Sequence, residues 1–341
     1  MLSWNYIAGL MDGDGSFSLI RKVRGKSVGY YPLIQFSNSN KATVYALKDM
    51  FGGSVHVRES WVGKDGVRRK TNYTWKFEKL ASHEFLKTLE PYLVLKRDRV
   101  AFLNKYIQDN PFKRGQRISA EKQLERKSAW INMKAMNTSL DSRGNIKLKT
   151  DRRMTSSRAF WEYCAGIVDT DGSMSIKRET GKCKQPVYSA VINITMCWSG
   201  ALCYIYNKSG VGKLYIVGAK TALSGQAFRY GIYSKDEVVR FVKKLLPYLK
   251  IKKRAASILL EFCEGYVAQT GRYLKTQKQQ DFREDCYQRL IEANKYGVYK
   301  PSLMDLKPLP GNAEGNKAEA GDEPGTVNVV SEKAPEGDAE L

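Results

Sequence analysis

The spacing of apolar and polar residues predicts short strands that alternate with helices. Strict alternation, bounded by glycine-containing turns, predicts strands at residues 16–24, 30–36, 54–61 and 71–77. Helical spacing predicts helices at residues 41–51, 83–89 and 98–107, the first with Asn40 as its N-cap. The order α-β-β-α-β-β-α-α favours hairpins over parallel crossovers, so we predict an α+β fold with antiparallel sheets.

The same pattern occurs twice along the chain, as three matches at nearly one offset show. YIAGLMDGDGS at 6–16 matches YCAGIVDTDGS at 163–173, PYLVLK at 91–96 matches PYLKIK at 247–252, and Trp130 and Asn137 match Tyr287 and Asn294. The sequence therefore predicts a tandem duplication. We divide it into a first repeat at 1–142, a basic linker at 143–157, a second repeat at 158–305 and an acidic disordered tail at 306–341.

Each repeat contains a helix with small residues in apolar surroundings. A glycine inside a helix costs roughly 0.5–1 kcal/mol relative to alanine, so Gly9 and Gly166 need a structural reason. Close approach of two helix backbones supplies that reason. The sequence therefore predicts that the two helices pack side by side, each against its duplicate.

Both helices end in acidic residues, where the helix dipole already carries partial negative charge. The acids are Asp12 and Asp14 in the first repeat and Asp169 and Asp171 in the second, followed by the predicted C-cap glycines Gly15 and Gly172. Two such ends would repel each other unless a cation lies between them, and carboxylate and carbonyl oxygens suit Mg²⁺ or Ca²⁺. A pair of close carboxylates also suits metal-assisted phosphodiester cleavage. Asp12 and Asp169 could instead cap or orient.

The charge of the chain favours a polyanionic partner. The net charge is +22, although residues 311–341 contribute −6, so the first 310 residues carry +28. A folded body with this excess is typical of nucleic-acid-binding proteins, although a merely soluble basic surface is the alternative.

Composition excludes several other classes of protein. No apolar run approaches the roughly 20 residues of a membrane span, and the first residues do not resemble a secretory signal. Six cysteines without a CxxC pair predict a reduced protein inside the cell, either in the cytoplasm of a prokaryote or phage host or in an organelle. The only histidines, His56 and His83, are unpaired, which argues against a histidine-based nuclease.

The duplicated motif resembles the signature of the LAGLIDADG homing endonucleases, in their single-chain form with two motifs. The resemblance extends over nearly all of residues 1–300, since the Pro-Tyr-Leu element and the Trp/Tyr-x6-Asn helix also match. It implies a tandem duplication of an αββαββα unit whose two antiparallel sheets form a DNA-binding saddle. It also implies a monomer that acts as a pseudo-dimer and cuts both strands of a long, asymmetric DNA target, leaving short 3′ overhangs.

The resemblance also implies the residues of the active site. Asp14 and Asp171 would bind Mg²⁺, or Mn²⁺ or Ca²⁺ in the same sites, with the backbone carbonyls of Gly13 and Thr170. The remaining catalytic residues would be Asn38 and two lysines, Lys96 and Lys252, which would stabilise the charge that builds on the scissile phosphate. Lys96 and Lys252 stand in basic runs, so solvated or phosphate-contacting lysines are the alternative interpretation. Met196 aligns with Asn38 in the second repeat, which would make the two half-sites chemically unequal.

Alternation along the predicted strands assigns the face that would contact DNA in the major groove. Phe17 and Leu19 fall on the opposite face. The predicted DNA-facing residues are Ser18, Ile20, Lys22, Arg24, Gln35, His56, Arg58, Ser175, Lys177 and Asn193. Two functions remain as alternatives to an endonuclease: a maturase that binds group I intron RNA, and a catalytically silent DNA-binding regulator.

Overall fold

A computed structural model gives the architecture. It describes residues 1–25, 27–63, 66, 68–78, 81–111, 118–138, 156–180, 186–217, 227–265 and 276–295. Met1–Lys300 form one compact unit, which contains all of these residues. The acidic tail at 306–341, and the linker at 143–157 except its last two residues, lie outside the described residues. No helix in the described part is both long and apolar enough to cross a membrane.

Among the described residues, the two repeats share a common order of elements, to which the first repeat adds a short two-stranded ribbon and a 3-10 turn. The first consists of α1 (Trp4–Gly13), β1 (Gly15–Arg24), β2 (Ser27–Asn38), α2 (Lys41–Phe51), β3 (Ser54–Arg58), β4 (Trp61–Val62), β5 (Arg68–Arg69), β6 (Asn72–Glu78), α3 (Ala81–Leu89), a 3-10 turn at Glu90–Tyr92, α4 (Arg97–Asp109) and α5 (Ala120–Thr138). The second consists of α6 (Ser157–Asp171), β7 (Gly172–Thr180), β8 (Pro186–Met196), α7 (Ser199–Ser209), β9 (Lys213–Val217), β10 (Ala227–Ile232), α8 (Lys235–Leu245), α9 (Lys253–Glu264) and α10 (Gln277–Lys295). The predicted α+β fold with antiparallel sheets is confirmed.

Each repeat contains an antiparallel sheet with equivalent topology, β1-β2-β6-β3 in the first and β7-β8-β10-β9 in the second. The registers match as well, since Gly15 lies opposite Phe36 and Gly172 lies opposite Ile194. One face of each sheet is covered by helices and carries the buried residues, such as Phe17 at 1% exposure. The other face is open, and alternation along the strands determines which side chains it presents.

Local signals account for the elements that were predicted well. α2 covers the predicted residues, and the side chain of its N-cap Asn40 accepts a hydrogen bond of 2.9 Å from the amide of Thr43. The predicted single strand at 54–61 is wrong, because the pairing of β3 with β6 ends at Arg58. Beyond that point the chain turns into the β4-β5 ribbon, and the Arg58 guanidinium stacks 3.6 Å from the ring centroid of Trp61.

The third repeated match has an equivalent contact in both halves. Asn137 in α5 donates a hydrogen bond of 3.0 Å to the carbonyl of Phe17, and Asn294 in α10 donates one of 2.9 Å to the carbonyl of Met174. Each long helix is thereby attached to the first strand of its own repeat. This contact explains why an asparagine recurs at the same spacing.

The predicted packing of the two small-residue helices is confirmed. A Cβ atom added to Gly9 in α1 would lie 2.9 Å from the Cα of Gly166 and would collide with the carbonyl of Tyr163, both in α6. A Cβ added to Gly166 would lie 2.8 Å from the Cα of Gly9. Real side chains do not reach such distances, so both positions require glycine.

The predicted C-cap role is confirmed for Gly172, whose backbone amide donates to the carbonyl of Val168, and is wrong for Gly15, because Asp14 is the C-cap of α1. Neither residue has a positive φ, and Gly172 is extended at φ −76° and ψ 148°. Both begin a strand that folds back directly over the last helical turn. A Cβ on Gly172 would lie 2.6 Å from the carbonyl oxygen of Val168, and one on Gly15 would lie 2.6 Å from the Cα of Met11. Close approach, and not a left-handed conformation, requires these glycines.

We predict that Gly9→Val lowers the free energy of unfolding by about 3 kcal/mol or more, because the added methyl groups would force the helix backbones apart. Urea denaturation followed by circular dichroism measures this change. Asp49→Val, at an exposed position of α2, is the control and should cost less than about 1 kcal/mol. Equal effects of the two substitutions would contradict a close helix contact.

Candidate active site

The paired helices α1 and α6 bring the ends of both motifs together. A Cβ on Gly13, the last residue of α1, would collide with the side chain of Thr170 and would lie 3.0 Å from Oδ2 of Asp171. The absence of a side chain at Gly13 therefore makes room for Thr170 and for the carboxylate of the other repeat. Asp14 follows immediately as the C-cap of α1, while Asp171 is the last residue of α6.

The first acid of each motif, Asp12 or Asp169, has a structural role. The Asp12 carboxylate accepts hydrogen bonds of 2.8, 3.0 and 2.9 Å from the amides of Val94, Leu95 and Lys96. Asp169 accepts equivalent bonds from three amides of the second repeat. Both carboxylates are buried, at 1% and 2% exposure, and burial raises the pKa of each. Of the two interpretations left open by the sequence, a capping or orienting role fits these contacts better than cation binding.

The same two acids also join the repeats to each other. Tyr163 of α6 donates its hydroxyl to Asp12 at 2.9 Å, and Tyr6 of α1 donates its hydroxyl to Asp169 at 2.7 Å. A buried hydrogen bond to a charged acceptor contributes more than one between neutral groups. Each helix therefore donates one hydrogen bond to its duplicate and accepts one from it.

The two candidate lysines lie in the pocket but contact backbone carbonyls. The Lys96 ammonium donates to the carbonyls of Met11, Gly13 and Gly15 at 2.9, 2.9 and 2.7 Å. Burial lowers its pKa to about 8. Because helix C-terminal carbonyls lack intrahelical partners and carry negative potential, an ammonium stabilises this end of α1.

Lys252 makes the equivalent contacts in the second repeat. Its ammonium donates to the carbonyls of Val168 at 2.8 Å and Thr170 at 3.1 Å, and burial lowers its pKa. The sequence predicted a role at the scissile phosphate for both lysines but did not predict these carbonyl contacts. Charge stabilisation at phosphate stays a prediction.

The second acid of each motif, Asp14 or Asp171, is half-buried and differs between repeats in its surroundings. Asn38 donates a hydrogen bond of 2.8 Å to Oδ2 of Asp14. Burial raises the pKa of Asp14, whereas that hydrogen bond and the charges of Lys252 and Lys96 lower it. Burial and the nearby charge of Asp14 raise the pKa of Asp171 to about 6. The two carboxylates therefore lie close together in a site that is partly shielded from water.

These residues fit a divalent cation whose remaining ligands come from outside the chain. Within the described residues, no group of three or more His, Cys, Asp or Glu side chains could hold a metal alone. Burial raises the pKa of Asp171 most, and the like charge of Asp14 raises it further; a cation between the two carboxylates would counter that second cause. The carbonyls of Gly13 and Thr170 adjoin them, although each already accepts a lysine hydrogen bond.

The open face of the first sheet contains the predicted polar residues. Phe17 and Leu19 are buried on the opposite face, so the positions of Ser18, Ile20 and Lys22 agree with the predicted alternation. Lys22 pairs with Glu78 at 2.6 Å, which offsets part of its charge. The side chain of Arg24 lies outside the described residues.

Cross-strand register brings further residues onto this face. Gln35 lies opposite Ser16 on one side and Lys76 on the other, while His56 is exposed opposite Thr74. Arg58 is exposed as well, with its guanidinium above Trp61. The sequence interpretation missed Lys76, although its position between buried Trp75 and Phe77 could have revealed it.

The second sheet presents a different set of residues on its open face. Ser175 and Lys177 alternate with buried Met174 and Ile176. Asn193 lies opposite Ser173 and accepts a hydrogen bond of 3.0 Å from the Tyr233 hydroxyl. Register also places here three residues that the sequence interpretation missed: Arg229, Tyr215 and Lys213. They lie on strands that the sequence interpretation did not assign in the second repeat.

Several solved structures with a similar fold belong to one class of protein. I-GzeII in complex with its DNA target is similar at a TM-score of 0.59 and 13% identity, over 86% of this chain and 98% of that chain. I-LtrWI bound to target DNA is similar at a TM-score of 0.56 and 13% identity, over 86% and 96%. Both are LAGLIDADG homing endonucleases. The chain has the LAGLIDADG homing endonuclease fold.

A third structure with the LAGLIDADG fold, I-SmaMI bound to uncleaved DNA in the presence of calcium ions, is similar at a TM-score of 0.56 and 12% identity, over 86% of this chain and 98% of that chain. No protein-family model matches the sequence, and no curated protein matches it. The similarity of this chain to the solved structures is therefore a similarity of fold.

We predict that Tyr6→Phe and Tyr163→Phe each lower the free energy of unfolding by about 1.5–3 kcal/mol. Each substitution leaves a buried aspartate without its partner from the other repeat. Chemical denaturation measures the change, with Tyr206→Phe at an exposed position of α7 as the matched control. A loss of under about 0.5 kcal/mol for both tyrosines would contradict their role in joining the repeats.

We predict that Asp14→Asn lowers the pKa of Asp171, because it removes the like charge that raises this pKa. Titration of the aspartate side-chain carbons by ¹³C NMR, in metal-free buffer, measures the shift. Asp49→Asn, at an exposed position of α2, is the control and should leave the pKa of Asp171 unchanged. An unchanged pKa of Asp171 in the Asp14→Asn variant would contradict a site shared by the two carboxylates.

Proposed function

We propose that the protein is a site-specific double-strand DNA endonuclease of the homing type, which hydrolyses phosphodiester bonds with a divalent metal. The observation that carries this proposal is the pair of half-buried carboxylates, Asp14 and Asp171, at the joined ends of α1 and α6. Among the described residues, the hydrogen bonds that join the repeats involve Asp12 and Asp169 but not these two acids. Repelling charges that cost stability are typical of a site kept for chemistry.

The fold supports DNA as the substrate. The open sheet faces carry basic and amide side chains, and the first 310 residues have a large positive charge. Such faces suit the major groove, where amide and guanidinium groups read base edges. The similar structures of I-GzeII and I-LtrWI are complexes with DNA targets, which supports the same class of ligand for this chain.

Mg²⁺ is the cation that we propose, and the same site would accept Mn²⁺ or Ca²⁺. When bound, the cation would supply Lewis-acid stabilisation of the charge that develops on the scissile phosphate. The chain itself would bind it through Asp14 and Asp171, next to the carbonyls of Gly13 and Thr170. Lys96 and Lys252 hold those carbonyls and add positive potential beside the phosphate.

The duplication supports cleavage of both strands of a long, asymmetric target, with one half-site for each strand and short 3′ overhangs. The two sheets present different residues at equivalent positions, such as Thr74 and Arg229, or His56 and Tyr215. Each sheet would therefore read a different half of the target. The monomer would act as a pseudo-dimer, since both halves of the site come from one chain.

We predict that Asp14→Asn and Asp171→Asn each reduce double-strand cleavage by at least about a thousandfold and change DNA affinity by less than about threefold. The acids serve the cation, whereas the sheet faces supply binding. A target selected by the wild-type protein from a randomised duplex library serves as the substrate. Gel-based cleavage assays with Mg²⁺ and binding assays with Ca²⁺ measure the two effects.

Asp49→Asn is the matched control and should cut at the wild-type rate. Wild-type cleavage by either active-site variant would contradict the assignment of the acids. Selective binding of structured intron RNA, without cleavage of any duplex, would instead favour the maturase function.

A further inference from the structure

The two repeats differ at one position next to the acidic residues of the site. Gly15 pairs with Phe36 and Gly172 pairs with Ile194, so two residues further along each strand the equivalent positions are Asn38 and Met196. Both lie at the end of their strand, on the sheet face that is covered by helices. An amide in one half-site is therefore replaced by a thioether in the other.

In the first repeat, a chain of hydrogen bonds fixes the orientation of the amide. The backbone amide of Asn40 donates to Oδ1 of Asn38 at 2.8 Å, so the Nδ2 group of Asn38 is directed to Oδ2 of Asp14 at 2.8 Å. Asn40 is itself held, because its side chain caps α2 through Thr43. The start of α2 thus orients the amide that contacts the Asp14 carboxylate.

The described residues of the second repeat do not form the equivalent bonds. Met196 is buried at 7% exposure, and a thioether has no proton to donate. Trp198 stands where the first repeat has Asn40, and it caps α7 without a side-chain hydrogen bond. The carboxylate of Asp171 consequently receives no side-chain hydrogen bond from the described residues.

We propose that Asn38 is a positioning residue for Asp14 and that its replacement by Met196 leaves Asp171 less constrained, so that the enzyme cuts the two DNA strands in a defined order. The strand served by the Asn38 half-site would be cut first. The proposal rests on the endonuclease function proposed above.

The expected order follows from preorganisation. A carboxylate that is already held in one rotamer loses less conformational entropy when it binds a cation beside the scissile phosphate. The amide engages Oδ2 and leaves Oδ1 of Asp14 for the cation. Asp171 must be ordered at the moment of reaction, which raises the barrier for its half-site.

The test exchanges the two residues and follows each strand separately. The selected duplex carries a different dye on each strand, and quench-flow with Mg²⁺ gives two cleavage rates. For the wild type we expect about a tenfold difference, with a nicked intermediate. Asn38→Met should slow the faster strand about tenfold, and Met196→Asn should accelerate the slower strand. The double exchange, Asn38→Met with Met196→Asn, should reverse the order of cleavage.

Met196→Leu is the matched control, because it keeps the apolar volume and adds no donor. It should leave the order and the ratio of the two rates unchanged. A general folding defect would slow both strands together, so only a change in the ratio supports a positioning role. Equal rates in the wild type, or the same order after the double exchange, would overturn the proposal.

A second measurement needs neither cleavage nor metal. In the free protein with EDTA, ¹³C NMR of the aspartate side chains should show that Asn38→Met shifts the Asp14 signal and leaves that of Asp171 in place. Met196→Asn should do the reverse. If no duplex is cut at all, the endonuclease function fails, while absence of these selective shifts would overturn the positioning role itself.

Discussion

The contact between the backbones of α1 and α6 is the constraint on which the rest of the structure depends. Gly9 and Gly166 approach so closely that no side chain fits at either position. This approach lets Tyr6 reach Asp169 and lets the equivalent tyrosine of α6 reach Asp12. It also determines how near Asp14 comes to the acid of the other repeat. A single distance between two helices therefore controls both stability and chemistry.

The duplication, the paired helices and α2 could be predicted because their signals are short sequence motifs. Small residues inside apolar helices and a capping asparagine act over a few positions, so their consequences can be derived without a structure. The break between Arg58 and Trp61 could not be derived, because it depends on where β6 stops pairing. The positions of Lys76 and Arg229 on the open faces likewise depend on pairing between strands that are far apart in sequence.

The site was predictable in its residues but not in their contacts. The resemblance singled out Asp14 and Asp171 among the four acids, but the three amide donors and the tyrosine that hold Asp12 are known only from the folded chain. Lys96 was expected at phosphate, and its bonds to three carbonyls depend on the path of the strand after α1. Burial and donor geometry are properties of the folded chain.

The reciprocal tyrosine–aspartate bonds separate what must stay alike in the two repeats from what is free to diverge. A change at Tyr6 or Asp12 disturbs a contact that spans both halves, so the centre of the molecule tolerates change only in matched pairs. Within the described residues, β3 and β9 form no such bond to the other repeat, and His56 and Tyr215 on these strands already differ at equivalent positions. Recognition of one half of a ligand can therefore be redesigned on one sheet without rebuilding the centre or the other sheet.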